Sequence, residues 1–208
     1  PRRTHPFAPP CYGERAGPQL AWRLGWLTED GRGVVVRSHS QGTALTAATL
    51  LADGTQRERC ALMTYGSPLV MLYQRHFPAY FGNIVARTAA GFDGDRDWVH
   101  LHAHTDVLGC RLETESRLVV QHRVLDPHRW DPPQDGDPPP TPLAHSTYHT
   151  HPDSDEWAVY LMRRLAGDSV SEPDLRDDPD DTCDDRPAPP SSTPAQPTGG
   201  DHVATAES

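Results

Sequence analysis

This sequence predicts an α/β fold on a largely parallel sheet, and three observations carry the prediction. Short, mainly apolar runs, VVV at 34–36 and CALMTY at 60–65, have the pattern of strands in a parallel sheet. Segments with helical spacing stand between and around these runs. The resulting order is helix, strand, helix, strand, helix, strand, strand, helix, an alternation that argues for parallel strands with helical crossovers.

The elements follow in chain order. Residues 1–17 are rich in Pro, Arg and Gly and read as a loop. PQLAWRLGWL at 18–27 places Leu20, Leu24 and Leu27 at i, i+4 and i+7, a helical stripe ended by TEDGRG. VVV at 34–36 reads as a strand covered on both faces. Residues 41–52 are apolar nearly all round, which predicts a buried helix stopped by Gly54. The run at 60–65 is a second strand and ends in Gly66-Ser67-Pro68. Residues 69–90 are mixed and aromatic, and helical in part. WVHLHAH at 98–104 alternates and predicts a third strand, and LVVQHRV at 118–124 a fourth. Residues 126–144 hold seven prolines and read as a loop. A last helix is expected over 153–165, with Trp157, Tyr160, Leu161 and Leu165 on one face. The expected organisation is an N-terminal loop 1–17, an α/β domain 18–167 and a disordered tail 168–208.

Composition narrows the function. Of 208 residues only 36% are hydrophobic and 22 are proline, too lean for a chain packed throughout. The deficit lies in 168–208, where eleven acidic residues against two arginines carry −9 of the net −10. A near-neutral body with an acidic tail argues against nucleic acid as a partner. All 19 basic residues are arginine, which points to coding bias rather than to a function. Cys11, Cys60, Cys110 and Cys183 are scattered without CxxC spacing, so neither a zinc site nor a disulfide framework is expected. No apolar run reaches the ~20 residues of a membrane span, and no signal peptide opens the chain.

The motif that could carry chemistry is Ser38-His39-Ser40-Gln41-Gly42, between the first strand and the buried helix. It has the form small-x-Ser-x-Gly in the strand–turn–helix setting of a nucleophile elbow. A turn that sharp brings together the residues two before and two after the nucleophile, so Ser38 and Gly42 are expected to be small for that reason. The turn would raise the Ser40 hydroxyl above the sheet edge. It would leave the Gln41 backbone N–H at a helix N-terminus, where the dipole favours a developing oxyanion. The plain alternative is a structural turn in which Ser40 caps the helix.

A serine nucleophile needs a base, and a third group to orient that base. In such sheets the chain order is Ser, then Asp or Glu, then His. Asp106, just past the third strand, fits the acid, and Asp126 after the fourth strand is its competitor. Asp93, Asp95 and Asp97 precede the third strand and so lie at the wrong end. For the base, His128, His145, His149 and His151 follow the last strand. His145 opens HSTYHTHP on the loop before the final helix, with His149 and His151 close behind. A metal reading draws on His100, His102 and His104, which alternate towards Asp106. No HExxH and no cysteine partner supports it, so no metal or cofactor is expected.

VVVRSHSQGT, LMTYGSPLVMLYQRHFPAYF, WVHLHAHTDVLG and HSTYHTHP occur in that order. Together they resemble the hydrolase domain of serine α/β-hydrolases, lipase- and esterase-like bacterial proteins in particular, over roughly residues 18–165. The resemblance implies Ser40 as nucleophile, Asp106 as acid, His145 as base and the Gln41 amide as an oxyanion donor. It also implies Tyr65, Gly66, Ser67 and Pro68 as the floor of the substrate site. The family continues Tyr-Trp-x-Asp-Pro where this chain has Tyr148-His149-Thr150-His151-Pro152, which keeps His149 and His151 in play as the base. A complete hydrolase of this type has several strands before the elbow. Only 32 residues precede Gly33 here, so the expectation is the C-terminal part of the fold, from a longer or a truncated protein.

The expected function is hydrolysis of a small-molecule or lipid-like ester through an acyl-enzyme. The alternative is an inactive hydrolase-like fragment serving as an interaction module. The expected location is the cytoplasm, with membrane association if a longer parent supplies a span.

Overall fold

The computed structural model describes residues 12–52, 59–92, 97–112, 119–124 and 145–173. All belong to one compact unit, Pro1–Arg176. The Pro-rich loop 126–144, Asp93, Asp95, Asp126, His128 and most of the expected acidic tail lie outside the described residues.

Four parallel strands form one sheet in the order β1-β2-β3-β4: Val34–His39, Cys60–Tyr65, Trp98–His102 and Val119–Arg123. Consecutive parallel neighbours need crossovers. Helix α2, Gln41–Ala52, provides the first. Between β2 and β3 run a π-helical turn Leu69–Gln74 and two short helices, α3, Pro78–Phe81, and α4, Ile84–Ala89. Helix α1, Tyr12–Thr28, precedes the sheet and α5, Pro152–Leu165, follows it.

The two faces of the sheet bury separate cores. Leu62, Trp98 and Val119 of the strands join Leu24 of α1, Ala47 and Leu50 of α2 and Val85 of α4 on one side. Met63, Val99 and Leu101 meet Trp157, Tyr160 and Leu161 of α5 on the other. Strand alternation sends successive side chains to opposite faces, which is why Leu62 and Met63 part company. β2 lies inside the sheet and all six of its residues are buried.

Three expectations need correction. Residues 12–17 are helical, not loop, because α1 starts at Tyr12 and continues through Pro18. Packing outweighs the helix-breaking residues there: α1 lies against α2 and buries Leu24 in the core they share. β1 is an edge strand among the described residues, so its valines are only partly buried, yet both of its faces are covered: Val34 and Val36 pack against one core and Val35 against the other. β1 also runs on to His39, while β3 stops at His102. No helix among the described residues is long and apolar enough to cross a membrane.

Candidate active site

The carboxyl ends of the strands are where an open parallel sheet places its chemistry. Ser40 sits there, in the single residue between β1 and α2. Its φ of 52° makes it the one described non-glycine residue in the left-handed region, a costly conformation for a side chain with a Cβ. Two backbone bonds hold the strained turn: Ser40 N–H donates to the Tyr65 carbonyl at 3.0 Å, and Thr43 N–H to the Ser40 carbonyl at 2.9 Å. Ser38 turns the other way, buried against Thr46 Oγ1 at 2.7 Å. Of the two serines in the motif, Ser40 is therefore the raised one.

The smallness expected at Gly42 does not come from crowding. A Cβ there would meet nothing within 4 Å. Crowding is found instead at Gly66 and Gly109. Gly66, at the end of β2, has φ +57°, and a Cβ on it would stand 3.0 Å from His145 Cε1 and 3.1 Å from Asp106 Oδ2. A Cβ on Gly109 would meet the Gly66 Cα at 2.5 Å. These two glycines let the loops after β2 and β3 close under the polar groups.

Ser40 Oγ lies 2.8 Å from His145 Nε2. His145 Nδ1 lies 2.9 Å from each Asp106 carboxylate oxygen. The carboxylate only accepts, so Nδ1 carries the hydrogen, Nε2 of the neutral ring accepts, and the Ser40 hydroxyl donates. Asp106 is bound on every side. Leu108 N–H and Gly109 N–H donate to Oδ1 at 2.9 Å each, and Tyr148 O–H donates to Oδ2 at 2.9 Å. Burial pushes this carboxyl up, but the Gly109, His145, Leu108 and Tyr148 bonds outweigh it and hold it below the usual carboxylate range. Asp106 is thus an anion, with a side chain sealed from solvent, while His145 keeps a quarter of its side-chain surface open.

The competitors go elsewhere. His149 is exposed. His151 caps α5, accepting from Asp153 N–H at 3.3 Å. Asp97 pairs with Arg164 of α5 at 3.3 Å, at the opposite end of β3 from Asp106. Tyr65 is buried below the elbow and its ring stacks on Tyr148 at 6.0 Å. Ser67 is fully buried, and its hydroxyl accepts from Leu69 N–H at 3.3 Å. The buried Pro68 starts the π-helical turn, its carbonyl accepting from Leu72 N–H at 2.9 Å.

Sequence reasoning gave no role to Tyr148, His39 or a buried relay beneath the acid loop. Tyr148 bridges Asp106 and the Ala103 amide, which donates to its oxygen at 3.0 Å. His39 Nε2 lies 2.6 Å from the His145 carbonyl. In the relay, Trp98 Nε1–H donates to Thr64 Oγ1 at 2.9 Å and the Thr64 hydroxyl donates to His100 Nδ1 at 2.8 Å. His100 Nε2–H then donates to the Cys110 carbonyl at 3.0 Å. Burial lowers His100 to about 4, so the ring is neutral, as the relay requires. The signal available was register, since Thr64 and His100 are opposite partners in β2 and β3. Among the described residues no group of three or more His, Cys, Asp or Glu side chains is arranged to hold a metal.

Comparison with known protein families, with curated proteins and with solved structures gives no match for this chain.

Proposed function

We propose that the chain is a serine hydrolase acting on ester substrates, lipid-like acyl esters among them, on the C-terminal part of an α/β-hydrolase fold. One observation carries the reading: a serine hydroxyl on a strained strand–helix turn, 2.8 Å from a histidine whose other nitrogen is 2.9 Å from a buried, anionic carboxylate. The chain order Ser40, Asp106, His145 agrees with it.

In the proposed reaction Ser40 Oγ attacks the ester carbonyl as its proton passes to His145 Nε2. Asp106 keeps the ring in the tautomer that can take this proton and stabilises the resulting imidazolium. The carbonyl oxygen becomes an oxyanion near the N-terminus of α2, where the Gln41 N–H is the proposed donor. The intermediate collapses, the C–O bond to the alcohol breaks, and His145 returns its proton to the leaving alkoxide. Water, deprotonated by the same histidine, then attacks the acyl-enzyme, releasing the acid and free Ser40. Tyr65, Gly66, Ser67 and Pro68 form the proposed floor beneath the acyl group.

A fluorophosphonate probe tests this directly. Ser40 Oγ should bond to phosphorus with loss of fluoride, and the adduct should map to Ser40 by peptide mass. Ser40→Ala should abolish labelling and His145→Ala should slow it at least ~100-fold. A folded wild-type chain that takes no label would sink the reading in favour of a non-catalytic interaction module.

A further inference from the structure

We propose that His39, the residue before Ser40, is a positioning residue that clamps the backbone of the base onto the elbow. The proposal rests on the serine-hydrolase reading of the same site. His39 Nε2 stands 2.6 Å from the His145 carbonyl oxygen. A carbonyl only accepts, so Nε2–H is the donor.

The ring has little freedom to leave this bond. Its centroid lies 4.8 Å from that of His145, 5.7 Å from Tyr65 and 6.5 Å from Tyr148. The base loop is thereby gripped at two points. His39 holds it at the carbonyl of residue 145, and the Tyr148 hydroxyl ties it to Asp106 at 2.9 Å. The first grip reaches the nucleophile through one peptide bond, since His39 ends β1 and Ser40 follows it. Base and nucleophile are therefore held in register by one hydrogen bond across adjacent residues. That matters because displacing a reacting group by about 1 Å can cost ~100-fold in rate.

The clamp makes a distinctive prediction about substitutions. Glutamine carries its Nε2 the same number of bonds from Cα as histidine does, so His39→Gln retains the donor. Phenylalanine retains a ring for Tyr65 and Tyr148 but has no donor. Asparagine is polar but too short. The full chain and these variants are compared by near-UV circular dichroism, by turnover of a p-nitrophenyl ester, and by the downfield proton NMR signal of His145 Nδ1–H, assigned by its loss in His145→Ala.

We expect His39→Phe to lower kcat roughly 10- to 100-fold with KM changed less than about threefold, and to shift or broaden the downfield signal. His39→Gln should restore kcat to within about fivefold and return the signal. If His39→Phe does not fold, His39→Asn takes its place with the same expectation. Wild-type kcat and signal in the variant with no donor in reach, His39→Phe or the His39→Asn that replaces it, would overturn the clamp. So would a folded His39→Gln as impaired as that variant, which would leave ring packing as the role. If the wild type neither turns over esters nor takes a fluorophosphonate, the hydrolase reading fails, and the NMR comparison still decides the clamp.

Discussion

Among the described residues, two of the histidine–aspartate contacts are nearly equal in length, His145–Asp106 at 2.9 Å and His122–Asp153 at 2.8 Å. Only the first continues to a hydroxyl, Ser40 Oγ, on the other ring nitrogen. The second joins β4 to the start of α5. His122 packs its ring against Trp157 at 5.6 Å, and the other oxygen of Asp153 faces His151 Nδ1 at 3.3 Å. The surroundings of the carboxylates differ as well. Asp106 is fixed by two loop amides and a tyrosine hydroxyl, so its direction is set by the fold itself. Asp153 sits in the first turn of a helix, where a negative charge is favoured by the dipole and strengthens the helix start. A histidine–carboxylate pair is thus no mark of catalysis by itself. What stands on the far nitrogen, and how firmly the carboxylate is aimed, separates the proposed reacting pair from a fastener.

The most severe way to break this contrast is to amidate each acid in turn. Asp106→Asn leaves a side chain that can donate to His145 Nδ1 and so stabilise the wrong tautomer. Fluorophosphonate labelling of Ser40 should then fall by roughly 10³- to 10⁴-fold, the size of loss seen when a triad carboxylate is amidated. Asp153→Asn should leave labelling within about threefold. It should instead lower the free energy of unfolding by about 1–3 kcal/mol, as expected for weakening a charge-assisted bond that is mostly buried. Equal loss of labelling in the two variants would erase the distinction.

A second measurement extends the contrast to histidines whose work is done neutral. Burial lowers His100 to about 4, and burial with neighbouring His100 and Arg111 lowers His102 to about 3. Both folded values lie below the unfolded value of about 6.5, so the unfolded chain takes up protons first as pH falls. Their contribution to stability is complete above about pH 6.5 and declines from there towards the folded values. Each histidine should cost up to about 1.4 kcal/mol per pH unit, or roughly 1.6 kcal/mol between pH 6.5 and 5. Asp106 adds loss of the same sign only as pH falls below the unfolded carboxylate value of about 3.9, and that loss is complete once pH has passed its depressed folded value. Urea unfolding at pH 7, 6 and 5 reads the slope, and His102→Leu should flatten it. A stability that is level from pH 7 to pH 5 would contradict the neutral burial of these rings.

Much of this was legible where local signals and tertiary burial agree. Residues 41–52 and 60–65 form α2 and β2 as their apolar patterns dictate, because both lie inside the fold. Ser40, Asp106 and His145 stood out as candidates because each sits just past a strand or before a helix, but position and chain order left Asp126, His149 and His151 open, and the family resemblance made the choice. The start of α1 was not legible. Gly13, Gly17 and Pro18 read as breakers in isolation, and only the packing of α1 against α2, with Leu24 buried in their shared core, shows why the helix admits them. The partners of His145 and Asp106 were equally hidden. That His39 reaches the His145 carbonyl, or Tyr148 reaches Asp106, depends on contacts between residues 106 and 42 positions apart in sequence. No period of two or 3.6 reports a distance of that kind.

The smallest effect concerns the glycine that the motif singled out. The elbow pattern asks for a small residue at Gly42, as it does at Ser38. Ser38 is buried, but Gly42 lies in the first turn of α2 with open space where a Cβ would stand. Gly42 has no positive φ, so alanine enters without backbone strain. Helical glycine costs about 0.5–1 kcal/mol relative to alanine, and near a helix end the lower figure applies. Gly42→Ala should therefore raise stability by about 0.5 kcal/mol and leave the labelling rate of Ser40 within about twofold. The corresponding change at Gly109 forces a Cβ against Gly66 Cα and the carboxylate of Asp106, and should displace the acid. If Gly42→Ala slowed labelling tenfold with no loss of stability, its smallness would be serving the incoming substrate rather than the turn.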